Sequence, residues 1–270
     1  MSDLSCTVAS PIIIIFFVAG IESKPGKCPP VTGTLCPQQQ NDGCFADFEC
    51  PGNQKCCDNR CGYTACMDPV SEVSCNIAVD LGFLLDASTS ITPLNFNRMK
   101  TFIKDLVNEF DVREGGTHVA AIAFGDRARM MFDFNGLQGS NLTKENLTTK
   151  IDEIPQISGS NRLDLALTMA KDDMFSFTGG KRDKTPRFLV IVTDGIGDVW
   201  SQNLAKLREL AKTLKDGRVE LLVVAIGDDV RVEEFKRISS GEKTVYNPKL
   251  FSDLRTLYKE VAVRSCKGKF

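Results

Sequence analysis

The sequence predicts an α/β fold, a doubly wound and mostly parallel sheet with helices on both faces, preceded by a small disulfide-rich module. Three observations carry this. Beyond Cys75, apolar runs alternate with segments of helical periodicity, the pattern of βα units. Two of those runs end on an acid followed by small residues, as strands do when they open onto a ligand rim. Eight of the eleven cysteines crowd between Cys28 and Cys66, where periodic hydrophobicity is nearly absent. At 270 residues, 42% of them hydrophobic, the chain has room for one sizeable core and a small satellite.

Taken in order, the first element is Ile12 to Ala19 (IIIIFFVA), an apolar run too short for a bilayer span, which needs about 20 residues. With Val18 and Gly20 in small-residue positions, residues 1–20 read as a signal peptide cut after Gly20, although the leading segment has Asp3 and neither Lys nor Arg. Cleavage would remove Cys6 and leave ten cysteines, an even number that can all pair. No later stretch is apolar enough for an anchor and the tail Lys267–Phe270 is polar, so a secreted, extracellular protein without a membrane anchor is expected. The module over residues 24–69 is too small to offset its chain entropy by apolar burial and must rely on covalent staples. Its eight cysteines, Cys28, Cys36, Cys44, Cys50, Cys56, Cys57, Cys61 and Cys66, allow 105 pairings that spacing does not choose among.

In the larger region, 75–266, the expected strands are Ile77 to Leu85, His118 to Phe124, Arg129 to Phe134, Phe188 to Thr193 and Val219 to Ile226. Thr92-Pro93 is a helix cap followed by a first-turn proline; after it Met99, Phe102, Ile103, Leu106, Val107 and Phe110 form one apolar stripe. Leu163, Ala166, Leu167 and Ala170 form a second, Leu204, Leu207, Ala211 and Leu214 a third, and Val232 to Ile238 and Leu250 to Val261 give two more helices. Between them, Asn141-Leu142-Thr143 and Asn146-Leu147-Thr148 are sequons in a polar stretch, making Asn141 and Asn146 candidate glycosylation sites on a loop.

The chemistry concentrates at Asp86-Ala87-Ser88-Thr89-Ser90. A carboxylate and two hydroxyls at alternate positions of one tight loop offer hard oxygen donors to Mg²⁺ or Mn²⁺, though Asp and Ser also belong at ordinary helix starts. Asp194, ending the strand Phe188 to Thr193, would emerge on the same rim. Two carboxylates from different strands at one rim repel each other unless a cation neutralises them.

These residues carry two family resemblances. Asp86-x-Ser88-x-Ser90 and Thr193-Asp194-Gly195 resemble the metal-ion-dependent adhesion site of von Willebrand factor type A domains, over about Cys75 to Cys266. The resemblance implies direct ligation by Asp86, Ser88 and Ser90, water-mediated support from Asp194, and a partner whose acidic side chain takes an open metal position. It also implies a Thr in a Gly-rich loop, but here Asn161 stands at that position, with Ser160 one residue earlier as the nearest hydroxyl. Lys24-x-Gly26-x-Cys28-Pro29, Asp47-x-x-Cys50 and the adjacent Cys56-Cys57 are similar to the whey acidic protein four-disulfide core. That family's pairing would be Cys28–Cys57, Cys36–Cys61, Cys44–Cys56 and Cys50–Cys66. Cys75 and Cys266 bracket the large region and would clamp its ends.

A net charge of −2 points to neither nucleic acid nor an anionic membrane as partner. The one histidine, His118, begins a strand, and the chain has no nucleophile elbow, phosphate loop or His-rich zinc motif, so no enzyme is expected. The expectation is an adhesion or extracellular-matrix protein that binds a matrix or cell-surface protein through a divalent cation. Two other readings stand beside it: a serine protease inhibitor with the large domain as targeting scaffold, and a structural or mineral-associated matrix protein. Proline at position 37, after the second module cysteine, argues against the inhibitor, since its ring removes an amide donor and presents no anchor side chain.

Overall fold

The structure, a computed structural model, describes residues 24, 27–28, 43–52, 54–58, 63–67, 75, 77–195 and 202–266. The chain divides into two compact units, Met1–Glu72 and Val73–Phe270. The signal segment, the Cys36–Cys61 pair, Pro37 and Trp200 lie outside the described residues.

In the smaller unit, strands β1 (Lys55–Asp58) and β2 (Thr64–Met67) form an antiparallel ribbon with Cys56 opposite Cys66. Disulfides Cys28–Cys57, Cys44–Cys56 and Cys50–Cys66 join this ribbon to the flanking chain. Asp47 is the polar hub beneath them: its carboxylate accepts from Lys55 Nζ at 2.6 Å, from the Lys24 amide at 2.8 Å and from the Cys56 amide at 2.9 Å. The Asp47-x-x-Cys50 step therefore holds the module together at its centre.

The larger unit is built on a six-stranded sheet of order β5-β4-β3-β6-β7-β8. Its strands are β3 (Asp80–Asp86), β4 (His118–Phe124), β5 (Ala128–Phe132), β6 (Arg187–Thr193), β7 (Val219–Ala225) and β8 (Val245–Tyr246). All neighbours are parallel except β4 and β5, which form an antiparallel edge. β3 is central and all seven of its residues are buried. Side chains alternate across it. Phe83 and Leu85 pack on one face with Met99, Phe102 and Leu106 of α1 (Pro93–Asn108) and Val261 of α6 (Leu254–Cys266). Leu84 packs on the other with Leu167 of α3 (Leu163–Met169), Leu207 and Ala211 of α4 (Gln202–Asp216) and Phe235 of α5 (Val232–Ile238). Cys75 is bonded to Cys266, joining the two ends of this unit.

Four expectations need correction. The first strand begins at Asp80, not Ile77, because Ile77 is 37% exposed and belongs to neither strand ladder of β3. The run is apolar only in appearance, since Asp80 inside it is fully buried and gripped by Arg182, whose Nε and backbone amide donate to it at 2.7 and 2.8 Å. The sequon stretch is not a loop: Asn141 ends a 3₁₀ turn and Asn146 sits in the first turn of α2 (Lys144–Asp152). Thr143 caps α2 by accepting from the Asn146 amide, and Leu147 and Ile151 are its one buried i,i+4 pair, too little to announce a helix by periodicity. The last helix begins at Leu254 after a 3₁₀ turn, not at Leu250, which is exposed. Edge strand β8, only two residues long, was not expected at all.

Candidate metal centre

Three loops, those that follow β3 and β6 and the one between α2 and α3, converge on Asp86. Its position follows from the sheet: β3 lies between β4 and β6, so its last residue leaves a fully covered strand and is itself fully buried. Asp86 Oδ1 accepts from the Ser88 amide at 3.0 Å and the Ser88 hydroxyl at 2.6 Å, a turn that folds the loop back over the carboxylate. Oδ2 accepts from Thr193 Oγ1 at 2.6 Å and from Asn161 Nδ2 at 2.5 Å. Ser88 Oγ lies 3.0 Å from Ser90 Oγ, and Ser90 Oγ donates to Asp194 Oδ1 at 3.0 Å. Asp86, Ser88, Ser90 and Asp194 therefore form one chain of oxygens running from the buried strand end to the half-exposed rim.

That chain is short of protons. Asp86–Ser88, Ser88–Ser90 and Ser90–Asp194 are three oxygen contacts, and the two serines bring two hydroxyl protons. With both protons given to carboxylates, the serine oxygens face each other as lone pairs. Electrostatics agree. Burial pushes the Asp86 carboxyl up to about 6, and the charge of Asp194 adds to the rise, while the hydroxyls of Ser88 and Thr193 pull against it. Burial also raises Asp194, opposed by the Ser90 hydroxyl. A proton or a cation relieves both strains. The donor set consists of carboxylate and hydroxyl oxygens, which fits a hard divalent cation of the Mg²⁺ or Mn²⁺ kind.

The Gly-rich loop is held against this cluster by backbone bonds. Ala87 O accepts from the Ile157 and Ser158 amides at 3.1 and 2.7 Å, and the Gly159 amide donates to Thr89 Oγ1 at 2.8 Å. Gln156 Nε2 donates to Ile91 O at 2.5 Å, tying the start of the Gly-rich loop to the Asp86 loop. Gly159 takes φ +80°, and a Cβ on Gly125 would meet Ser158 O at 2.1 Å, so the loop closes only where two side chains are missing. Asn161 reaches the cluster; its Nδ2 also lies 3.1 Å from both Thr193 Oγ1 and Gly195 O. Ser160 is exposed, and among the described residues nothing ties it to the cluster. Of the two candidates for the second-loop position, Asn161 is thus the one that faces Asp86. Thr193, taken in the sequence only as part of a motif, is fully buried on the Asp86 carboxylate. Its signal was the Thr-Asp-Gly triplet: a hydroxyl one residue before a rim acid.

Three other groups are structural. Asp164, in the first turn of α3, is clasped by Arg162 Nε and Nη2 at 2.8 and 2.9 Å and by Lys206 Nζ at 3.0 Å. His118 Nε2 lies 2.9 Å from Glu114 O, a loop contact away from the rim. Sulfurs of Cys44, Cys50 and Cys66 gather within 4.8 Å, but all three belong to disulfides and offer no thiolate. Among the described residues no helix is long and apolar enough to cross a membrane.

Comparison with known proteins agrees with this geometry. The sequence model of the von Willebrand factor type A domain matches residues 80–260, and that of the WAP-type (Whey Acidic Protein) four-disulfide core matches residues 24–69. The human collagen alpha-6(VI) chain is 28% identical over 207 residues, covering 75% of this chain and 9% of its own length. Mouse vitrin is 26% identical over 163 residues, covering 60% of this chain and 24% of its own. The chain thus spans less than a quarter of either relative. Among solved structures, proximal thread matrix protein 1 from the mussel byssus, with a zinc-occupied MIDAS motif, superposes with a TM-score of 0.62 at 26% identity, covering 72% of this chain and 47% of that one.

Proposed function

The chain belongs to the von Willebrand factor type A family, with a four-disulfide core domain ahead of it, and from that premise we propose that it is an extracellular adhesion or matrix protein whose type A domain binds a protein partner through a divalent cation. The observation that carries the proposal is the proton-short oxygen chain from Asp86 through Ser88 and Ser90 to Asp194. Asp86, Ser88 and Ser90 would hold the ion, Asp194 would support it from the rim, and Asn161 would complete the shell once its amide turns to present Oδ1. The bound cation would offer a vacant position to a carboxylate from the partner. Ser90 and the half-exposed Asp194 lie on the solvent side of the cluster, where such a carboxylate would arrive. Matrix relatives and the zinc-occupied neighbour support the reading. The matrix relatives favour a binding role over catalysis. Residues 1–20 are proposed as a secretion signal and Asn141 and Asn146, both exposed, as glycosylation sites.

Calorimetric titration of the full chain with Mg²⁺ and Mn²⁺ tests this. A saturable heat is expected in the wild type, none in Asp86→Ala, and tighter binding in Asn161→Thr, which restores a hydroxyl. Absence of heat in the wild type refutes the proposal. A matrix-extract pull-down compared in Mg²⁺ and EDTA then tests the partner: retention that is equal in both excludes a cation-bridged ligand.

A further inference from the structure

At the end of the sheet opposite the rim, the amino-terminal ends of β6 and β7, the carboxyl ends of α4 and α6 and the turn before β6 line an open cavity of about 890 Å³, within the range of small-ligand sites. Its walls carry Lys184, Arg187, Lys215, Arg218 and Arg264 against a single carboxylate, Glu220. That carboxylate is already used, because Arg264 donates to it through Nε and Nη2 at 2.9 and 2.6 Å. Lys215 Nζ is satisfied only by the neutral carbonyls of Ile238 and Ser239, at 3.1 and 3.0 Å, and its burial lowers its proton affinity. Neighbouring Asp216 is paired with Lys212. Arg187 spends its two terminal nitrogens on the carbonyls of Gly217 and Arg182, leaving a buried Nε with no partner. Among the described residues nothing holds the exposed head groups of Lys184 and Arg218.

Those last two cations have a second peculiarity. Lys184 and Arg218 both have φ +61°, a left-handed backbone that glycine adopts at no steric cost and a long side chain adopts only under strain. They are two of the three non-glycine residues with positive φ among the described residues, and both line this cavity. Two strained turns therefore present guanidinium and ammonium groups at one opening, in a chain whose net charge is −2.

We propose that this cavity binds the sulfate groups of a sulfated polysaccharide, independently of the divalent cation. The chemistry favours an oxyanion because five guanidinium and ammonium side chains line the site against one carboxylate, Glu220, which Arg264 already engages. The proposed extracellular setting favours sulfate esters on a chain over a free phosphate. Carbohydrate matrix and protein partner would then engage opposite ends of one sheet.

Titration of the full chain with a heparin octasaccharide in EDTA, at physiological salt, tests the proposal. Saturable binding is expected, and fully desulfated octasaccharide should not bind. The double variant Lys184→Gly/Arg218→Gly should weaken binding about tenfold or more at 0.15 M salt, where two exposed charges still act at contact range. Because glycine suits both backbones, its melting temperature should be unchanged or higher, and its Mg²⁺ heat should match the wild type. No binding, binding unchanged in the double variant, or equal binding of the desulfated chain overturns the proposal. Full displacement by equimolar inorganic sulfate overturns the polysaccharide and leaves a small-anion site.

Discussion

Replacing Asp86 with asparagine is expected to stabilise the cation-free domain while abolishing its response to Mg²⁺. The wild-type carboxyl is raised from 3.8 to about 6. At 1.36 kcal/mol per pKa unit, its ionisation in the folded state costs up to about 3 kcal/mol at neutral pH. Asparagine removes that charge and keeps an acceptor for the Ser88 amide and hydroxyl. Its own amide, however, then faces the amide of Asn161, now 2.5 Å from the carboxylate. Until one amide turns over, that conflict costs about 1–3 kcal/mol, the penalty of a buried unsatisfied donor. The balance is a gain of about 1 kcal/mol, or about 2–4 °C in a domain of this size. Scanning calorimetry of both proteins in EDTA at pH 7.5 reads it directly, and Mg²⁺ should then raise the wild type above the variant. Because the folded-state affinity for the proton is raised, the wild type should gain stability as pH falls through about 6 towards 4. The variant should lack that slope. A variant that melts below the wild type in EDTA, or retains the slope, refutes the assignment of the strain to Asp86.

Further outcomes follow from the same structure. Asp164, held at about 2 by the Arg162 guanidinium and then Lys206, contributes stability above pH 4 that disappears as pH falls through about 2; Asp164→Asn should cost about 1–2 kcal/mol at pH 7 and flatten the acid limb of the stability curve. Gly125→Ala should weaken Mg²⁺ binding without touching a ligand, because the new Cβ would meet Ser158 O at 2.1 Å and push the Asn161 loop away; unchanged affinity in calorimetry would show that the loop adapts. Gly82→Ala should destabilise by about 1–3 kcal/mol through overpacking, since its Cβ would lie 2.6 Å from Met174 Sδ and 3.1 Å from Leu189 Cδ1. Removing the Cys75–Cys266 bridge, which closes a separation of 191 residues, should cost about 5 kcal/mol on the loop-entropy model, read as a fall in melting temperature of more than about 10 °C.

Much of the fold was legible because the central strands are buried on both faces and so read as continuous apolar runs. The amphipathic α1 declared itself by its stripe and by Thr92-Pro93. What escaped was short or polar. β8 is two residues long and pairs only through Val223–Val245 and Val224–Tyr246, too brief for any period. α2 hides because its cap and one i,i+4 pair carry it, while its exposed face is all polar. Asp80 hides within an apolar run because its partner, Arg182, comes 102 residues later, and pairing at that distance leaves no local trace. At the rim, strand-end acids announced Asp86 and Asp194, and only the type A resemblance singled out Asn161. The orientation of Asn161 and the burial of Thr193 on Asp86 depend on how three loops meet, which no single segment records.

The same carboxylate links stability and binding in this domain. An ionised Asp86 in the closed, cation-free site opposes folding by desolvation, and a cation that neutralises it removes that opposition, so the energy withheld from the apo fold reappears as affinity. The amide of Asn161 already discharges part of it by donating to Oδ2. A threonine there would bring one proton where the amide brings two, and a hydroxyl oxygen that needs no half-turn to face the ion. Asn161 therefore trades cation affinity for stability of the cation-free site, and the two should move in opposite directions in Asn161→Thr: a lower melting temperature in EDTA and a larger rise on adding Mg²⁺.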